Sequence, residues 1–225
     1  SFPKLAKFIN SKAKTLAIVY VNNDFGKGGR DTLTKLLEGT STKIVADIST
    51  DAGQVDFSAA VLKAKQTDAD AIFVYTNEEE SARALREFRK QGVKKMLIGE
   101  TTLTGQKVIE LAGEAANGAL AHVGLTVDAP AFKAFGAKYK AEYKSESDHN
   151  GIKGYTGMYV LKAAMEKVGK VDRKATAAAI RNSCFSAKQH PGILMDVCFD
   201  DKGDLDRESF LIEVKGGQPV INATL

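Results

Sequence analysis

The sequence predicts an α/β protein with a parallel sheet flanked by helices, followed by further helices that have no sheet of their own. Three observations lead there. The opening third contains two successive strand–loop–helix units, Thr15 to Glu38 and Ala69 to Gly92. Each starts with a continuous apolar run, TLAIVYV or AIFVY, as a strand covered on both faces does. From 131 to 182, by contrast, helical spacing recurs with no strand between. In open parallel sheets ligands sit at the carboxyl ends of the strands, so the loops after those runs are where function is expected. Those loops hold no catalytic constellation. The pattern points to binding rather than chemistry.

Taken in order, the opening SFPKLAKFIN places Phe2, Leu5, Phe8 and Ile9 on one helical face, with Pro3 tolerated in the first turn. It lacks the basic and apolar regions of a signal peptide, and it reads as a helix already under way in a processed or truncated piece of a longer protein. Strand 15–21 follows, then the polar, glycine-rich stretch 22–29, then a helix over 30–38. Strand 43–49 precedes a helix opened at Asp56-Phe57-Ser58, where Asp56 or Ser58 suits capping. Strand 71–75 leads to helix 81–91, stopped by Gly92. Strand 95–99, a short helix at 108–112 and strand 118–125 complete a run of strand–helix units on one parallel sheet. Helices over 131–143, 152–168 and 173–182 come next. Near the end, 193–199 and 210–214 read as two strands joined by a hairpin-like turn at Asp200–Asp204.

Composition narrows the function. The chain has 225 residues, 44% hydrophobic and 27% charged, enough for one large domain or two small ones. No apolar run reaches the ~18 residues of a membrane helix. The net charge of +4 is spread along the chain with no basic block interleaved with aromatics, which argues against a nucleic-acid partner. Cys184 and Cys198 lack CxxC spacing. Unpaired core thiols are the favoured reading, ahead of a disulfide and of a catalytic thiol.

Several motifs invite chemistry and fall short of it. DFGKGGRDT fits neither GxxxxGK[ST] nor GxGxxG, so a tight turn bringing Phe25 and the backbone near a ligand is favoured over nucleotide binding. Asp200–Asp206 is acidic like a calcium loop, yet Lys202 stands where an oxygen ligand belongs and no Glu closes the loop. A solvated turn is expected. His122, His149 and His190 have no partners at metal-ligand spacing and read as structural or surface histidines. Glu78-Glu79-Glu80 suits a helix's first turn, where the macrodipole favours acid, and Glu78 at a strand end could meet a cationic ligand. No GxSxG elbow is present. No enzyme, metal or cofactor is expected.

The succession NNDFGKGG, DFSAAVLKAKQTDADAIFV, ALREFRKQGVKKMLIGET, FKAFGAKYKAEY, GYTGMYVLKAAMEKVGKVDRKA and FDDKGDL resembles the leucine/isoleucine/valine-binding protein family, type I periplasmic solute-binding proteins of ABC importers. The resemblance covers nearly the whole chain, and its specificity lies in the order of six motifs. It implies Rossmann-like lobes that trap a small amino acid, amide or carboxylate-type ligand by hinge closure. It implies an ABC permease in the inner membrane as partner and a periplasmic location. Residues 1–122 and about 200–225 would form the second lobe, and about 126–190 the helical remainder of a first lobe whose N-terminal part is missing.

The same resemblance implies the contacts. Phe25 stands at the family's aromatic before the first-loop glycine, and Asn77 and Glu78 follow the next aligned strand end. Thr101 falls at the position of the carboxylate that holds a ligand ammonium, with Glu100 one residue early. Tyr155 matches an aromatic from the first lobe's helix. Uncovered helix faces carrying Phe132, Phe135, Tyr139, Met158, Leu161 and Met165 would then promote self-association of the chain. The alternatives are a ligand-sensing regulator on the same fold and, further off, a hydrolase using Cys184 or a serine.

Overall fold

A computed structural model describes residues 2–125, 129–206 and 209–225. The chain divides into two compact units, Ser1–Gly124 with Ser209–Leu225, and Leu125–Glu208.

The larger unit is built on helix α1 (Phe2–Lys12), strand β1 (Thr15–Val21), α2 (Asp24–Leu37), β2 (Lys43–Thr50), α3 (Ser58–Gln66), β3 (Ala71–Tyr75), α4 (Glu78–Lys90), β4 (Met96–Glu100), α5 (Gln106–Ala112) and β5 (Leu120–Val123). The expected parallel core is present, in the order β2-β1-β3-β4-β5. Alternation along the strands divides the apolar residues between two layers. Ala17, Val19, Ile72, Val74 and Leu97 pack with α3, α4 and α5. Leu16, Ile18, Phe73 and Ile98 pack with Leu5 and Ile9 of α1 and Leu33 and Leu37 of α2.

Two sequence expectations are corrected in this unit. The helix expected at Arg30 starts at Asp24, so most of the glycine-rich stretch is helical. Asn23 caps it, its side-chain oxygen accepting the Gly26 N–H at 2.8 Å. The strand expected over 210–214 is present as β9 (Phe210–Lys215), but it does not pair with the strand before Asp200. It runs antiparallel to β5 on one side and to β10 (Gln218–Thr224) on the other. The turn between β9 and β10 has Gly216 and Gly217 at φ 56° and 76°, the doubly left-handed geometry that a tight hairpin requires.

The smaller unit holds α6 (Pro130–Tyr143), α7 (His149–Val168) and α8 (Arg173–Ile180), as expected, and then a three-stranded antiparallel sheet that the sequence did not reveal. Its strands are β6 (Cys184–Phe185), β7 (Val197–Phe199) and β8 (Leu205–Asp206). The Asp200–Asp204 turn therefore joins β7 to β8. Asp200 Oδ1 accepts the N–H groups of Lys202 and Asp204, at 2.9 and 2.8 Å, which spends this carboxylate on its own turn.

Cys184 and Cys198 face each other across β6 and β7 with Cα atoms 4.0 Å apart and form a disulfide. The free-thiol reading is overturned. The Phe199 N–H bonds the Ser183 carbonyl at 2.9 Å, so the cysteine pair is the adjoining, closer, non-hydrogen-bonded pair of the ladder, within reach of an S–S bridge. The catalytic-thiol reading falls with it.

Small cores hold this unit. Val160, Ala163, Ala164, Phe185, Ile193 and Val197 form one, and Leu125, Phe132 and Ile152 another. Beside them lies an apolar cavity of about 350 Å³ lined by Ile152, Thr156, Val160, Val197, Phe199 and Leu205. Of the side chains expected to be uncovered, Met158 and Leu161 are exposed, but Phe132 is buried because it packs on Ile152 and Leu125.

Candidate functional site

The carboxyl ends of β1, β3, β4 and β5 bring together four side chains on the α1–α2 face of the sheet. Register pairs Tyr20 with Tyr75 across β1 and β3, and Glu100 with His122 across β4 and β5. Phe73 pairs with Ile98, which carries Tyr75 and Glu100 onto the same face two residues later. The result is a cross-strand row, Tyr20–Tyr75–Glu100–His122. Aromatic and ionisable groups lie side by side at the edge where ligands of such sheets bind.

Phe25 completes this edge. It sits in the first turn of α2 and stacks on Tyr75, with ring centroids 4.2 Å apart, while staying 42% exposed. Two glycines make that approach feasible. A β-carbon at Gly26 would stand 1.8 Å from the Val21 carbonyl oxygen, and one at Gly29 would stand 2.1 Å from the Tyr75 ring. The glycine-rich stretch therefore lets a helix settle on β1 and β3. At the other end of the row the Arg30 guanidinium lies 5.0 Å over the Tyr20 ring and bonds Asp47 at 3.1 Å.

Glu100 is not a free carboxylate. Its two oxygens lie 3.0 and 3.2 Å from Nδ1 of His122. The His122 side chain is 3% exposed and that of Glu100 18%. Burial, with the nearby negative charge of Glu100 added, pushes the Tyr75 phenol up to about 12. Replacing Glu100 with glutamine is expected to let Tyr75 ionise at lower pH. Because burial is the larger cause, its midpoint should stay above the usual tyrosine value near ~10. NMR titration of the Tyr75 ring carbon checks this; an unchanged midpoint would separate the two groups.

Asn77 and Glu78 lie at the start of α4, after the end of β3. The Asn77 side chain does not cap that helix; its amide donates to Glu80 Oε1 at 3.0 Å. The same oxygen accepts the Gly53 N–H at 2.7 Å. Burial alone would raise the Glu80 carboxyl, but these two donors, with its own backbone N–H and the Arg83 charge added, hold it below the usual carboxylate range. Glu80 thus ties the segment after β2 to the end of β3 and fixes Asn77. Glu78 is partly exposed and pairs with Lys107 at 3.6 Å. Thr101 begins a short 3₁₀ turn directly after β4, half-buried. A β-carbon at Gly99 would come within 2.7 Å of the Val74 carbonyl oxygen and 2.9 Å of Leu103, so glycine there lets this turn close onto the strand.

Of the residues singled out from sequence, Phe25 and Glu100 meet through Tyr75, while Asn77, Glu78 and Thr101 follow the ends of β3 and β4. Tyr155 lies in the smaller unit, on α7, among aromatic rings: Phe135 at 4.8 Å and Tyr159 at 5.0 Å. Sequence reading missed Tyr75, Glu80 and His122. The signal for His122 was a polar side chain inside an otherwise apolar strand, GALAHVGL. Among the described residues no group of three or more His, Cys, Asp and Glu side chains could hold a metal ion.

The sequence matches the periplasmic binding protein family over residues 2–218. It is 25% identical over 213 residues to the leucine-, isoleucine-, valine-, threonine- and alanine-binding protein of Pseudomonas aeruginosa, covering 93% of this chain and 56% of that protein. It is 27% identical over 207 residues to the Leu/Ile/Val-binding protein of Escherichia coli K12, covering 90% of this chain and 54% of that protein. The crystal structure of a leucine binding protein from Thermotoga maritima aligns with all of this chain and 64% of its own, at a TM-score of 0.81 and 25% identity. A periplasmic binding protein from Burkholderia mallei shares the fold at a TM-score of 0.84 and 15% identity, over 100% of this chain and 61% of its own. The chain spans about half the length of the named sequence relatives. It belongs to the periplasmic binding protein family.

Proposed function

We propose that the protein is an extracytoplasmic solute-binding receptor of an ABC importer, which takes up a small amino acid, amide or carboxylate-type ligand and delivers it to a permease in the inner membrane. Family membership across residues 2–218 carries this reading, together with relatives named for amino-acid binding. The Cys184–Cys198 disulfide supports the location, since such bonds persist in oxidising compartments. The larger unit is one ligand-binding lobe, contributing Phe25, Asn77, Glu78, Glu100 and Thr101. The smaller unit belongs to the other lobe and contributes Tyr155.

The arrangement at the strand ends suits such a ligand. An exposed ring stacked on a buried one offers a flat apolar shelf, and the carboxylate beside it offers an acceptor. The test is a thermal-shift screen of the full-length protein against amino acids, amides and small carboxylates. A ligand that binds only the folded state at about 100 times its Kd stabilises by about 2.7 kcal/mol and raises the midpoint visibly. Calorimetry should then show Phe25→Ala and Thr101→Ala weakening that ligand by about tenfold each, or about 1.4 kcal/mol. The site would be misplaced if Phe25→Ala, Asn77→Ala, Thr101→Ala and Tyr155→Ala all bound it as the parent does. If no solute of these classes shifted the midpoint, the receptor reading itself would fall.

A further inference from the structure

The pair at the end of β4 and β5 asks for an account that packing does not supply. His122 is 2% exposed, its Nδ1 addresses both oxygens of Glu100, and its Nε2 is buried with no hydrogen-bond partner among the described residues. An imidazole costs less here in one form than in the others. As the neutral Nδ1–H tautomer it donates to the carboxylate and leaves only a lone pair unmatched at Nε2. As the Nε2–H tautomer it would set a lone pair against a carboxylate and bury an unmatched donor. As imidazolium it would keep the bond to Glu100 but again bury an N–H without an acceptor.

We infer that His122 is a positioning residue for Glu100: its Nδ1–H holds the carboxylate at the strand-end edge as a fixed acceptor for a positively charged, hydrogen-bond-donating group of the ligand. The inference rests on the reading of these strand ends as the ligand site. Its chemistry is a matter of placement: a donor at Nδ1 fixes the carboxylate beside the Phe25–Tyr75 shelf. The ionisable groups on the neighbouring strands are Glu100 on β4, Tyr75 on β3, and Glu213 and Lys215 on β9, while α1 carries Lys4, Lys7 and Lys12. Glu213 pairs with Lys215, and Lys4 bonds the Leu225 carbonyl. Facing His122 directly on β9 is Leu211, which is apolar. Only Glu100 bonds the imidazole among the described residues.

Two measurements decide it. Long-range ¹H–¹⁵N NMR on the unliganded 225-residue chain near about pH 7 should show His122 protonated at Nδ1 and bare at Nε2. A proton on Nε2, in the neutral or the charged form, overturns the inference whether or not any ligand binds. Calorimetry on the full-length protein then uses L-leucine as probe, whose ammonium is charged at about pH 7. His122→Asn places a neutral amide N–H near the Nδ1 position. It should retain the parent's affinity within about threefold. His122→Leu should bind about tenfold more weakly at neutral pH. An asparagine variant that binds as weakly as His122→Leu, or a leucine variant that binds as the parent does, overturns the inference while leaving the receptor reading intact. If leucine fails to bind the parent, that outcome counts against the receptor reading for this probe, and the tautomer alone decides the role of His122.

Discussion

Phe73→Ala should destabilise the larger unit by about 3–5 kcal/mol, the range for truncating a fully buried aromatic side chain. Phe73 is completely buried in β3, which lies between β1 and β4 at the middle of the parallel sheet. Its ring stacks on Tyr75 with centroids 5.4 Å apart, and Phe2 of α1 meets its edge at 6.4 Å. Removing it leaves a void bounded by strand backbone on two sides, which relaxes little. The effect reaches the site as well, because Tyr75 rests on Phe73 and Phe25 rests on Tyr75. Phe73→Leu, which fills part of the space, should cost clearly less. Urea unfolding followed by probes in the larger unit checks both. A loss below about 1 kcal/mol for the alanine variant would mean that α1 closes onto the sheet and that the ring is not the support described.

The order in which sequence gave way to structure follows the range of the interactions involved. β1 and β3 were legible because central parallel strands must be apolar on both faces, and TLAIVYV and AIFVY are. The start of α2 was misread because three glycines in four residues resemble a loop. They are in a helix because Gly26 and Gly29, three apart and so on one face, meet the Val21 carbonyl and the Tyr75 ring. Nothing local in the sequence states that contact. β6, β7 and β8 are two or three residues long, too short for any alternation to register. β10 was missed because QPVINAT mixes polar and apolar residues, as an edge strand does.

The site divides in the same way. Phe25, Asn77, Glu78 and Thr101 were singled out because they follow strand ends at positions the family resemblance marks, and a strand end is a local feature. Glu100 was singled out as well, but its partner was not. Linking Glu100 to His122 needs the register of β4 against β5, which a sequence separation of 22 conceals. Glu80 was read as part of an acidic helix start, whereas it turns inward to accept from Gly53 and Asn77. An acidic first turn and a buried tethering carboxylate look alike in sequence. They separate only when the segment after β2 is seen to pass above α4's first turn.

The disulfide should matter more to its unit than any single apolar side chain there. Cys184 and Cys198 close a loop with a sequence separation of 14. In the chain-entropy account a loop of about 15 residues restricts the unfolded chain by about 3 kcal/mol. The strands it joins carry few backbone bonds of their own, and the neighbouring cores are small. Replacing both cysteines with serine, or reducing the protein, should therefore speed hydrogen exchange at Phe185 and Phe199 well before it affects Ile18 or Val74. The direction of the difference follows from burial: Ile18 and Val74 lie in a seven-stranded sheet covered on both faces, whereas Cys184 is exposed and Phe199 only partly buried. Equal loss of protection in both places would show that the two units unfold as one. Unchanged protection at Phe185 and Phe199 would show that Val160, Phe185 and Val197 hold the small sheet together without the bridge.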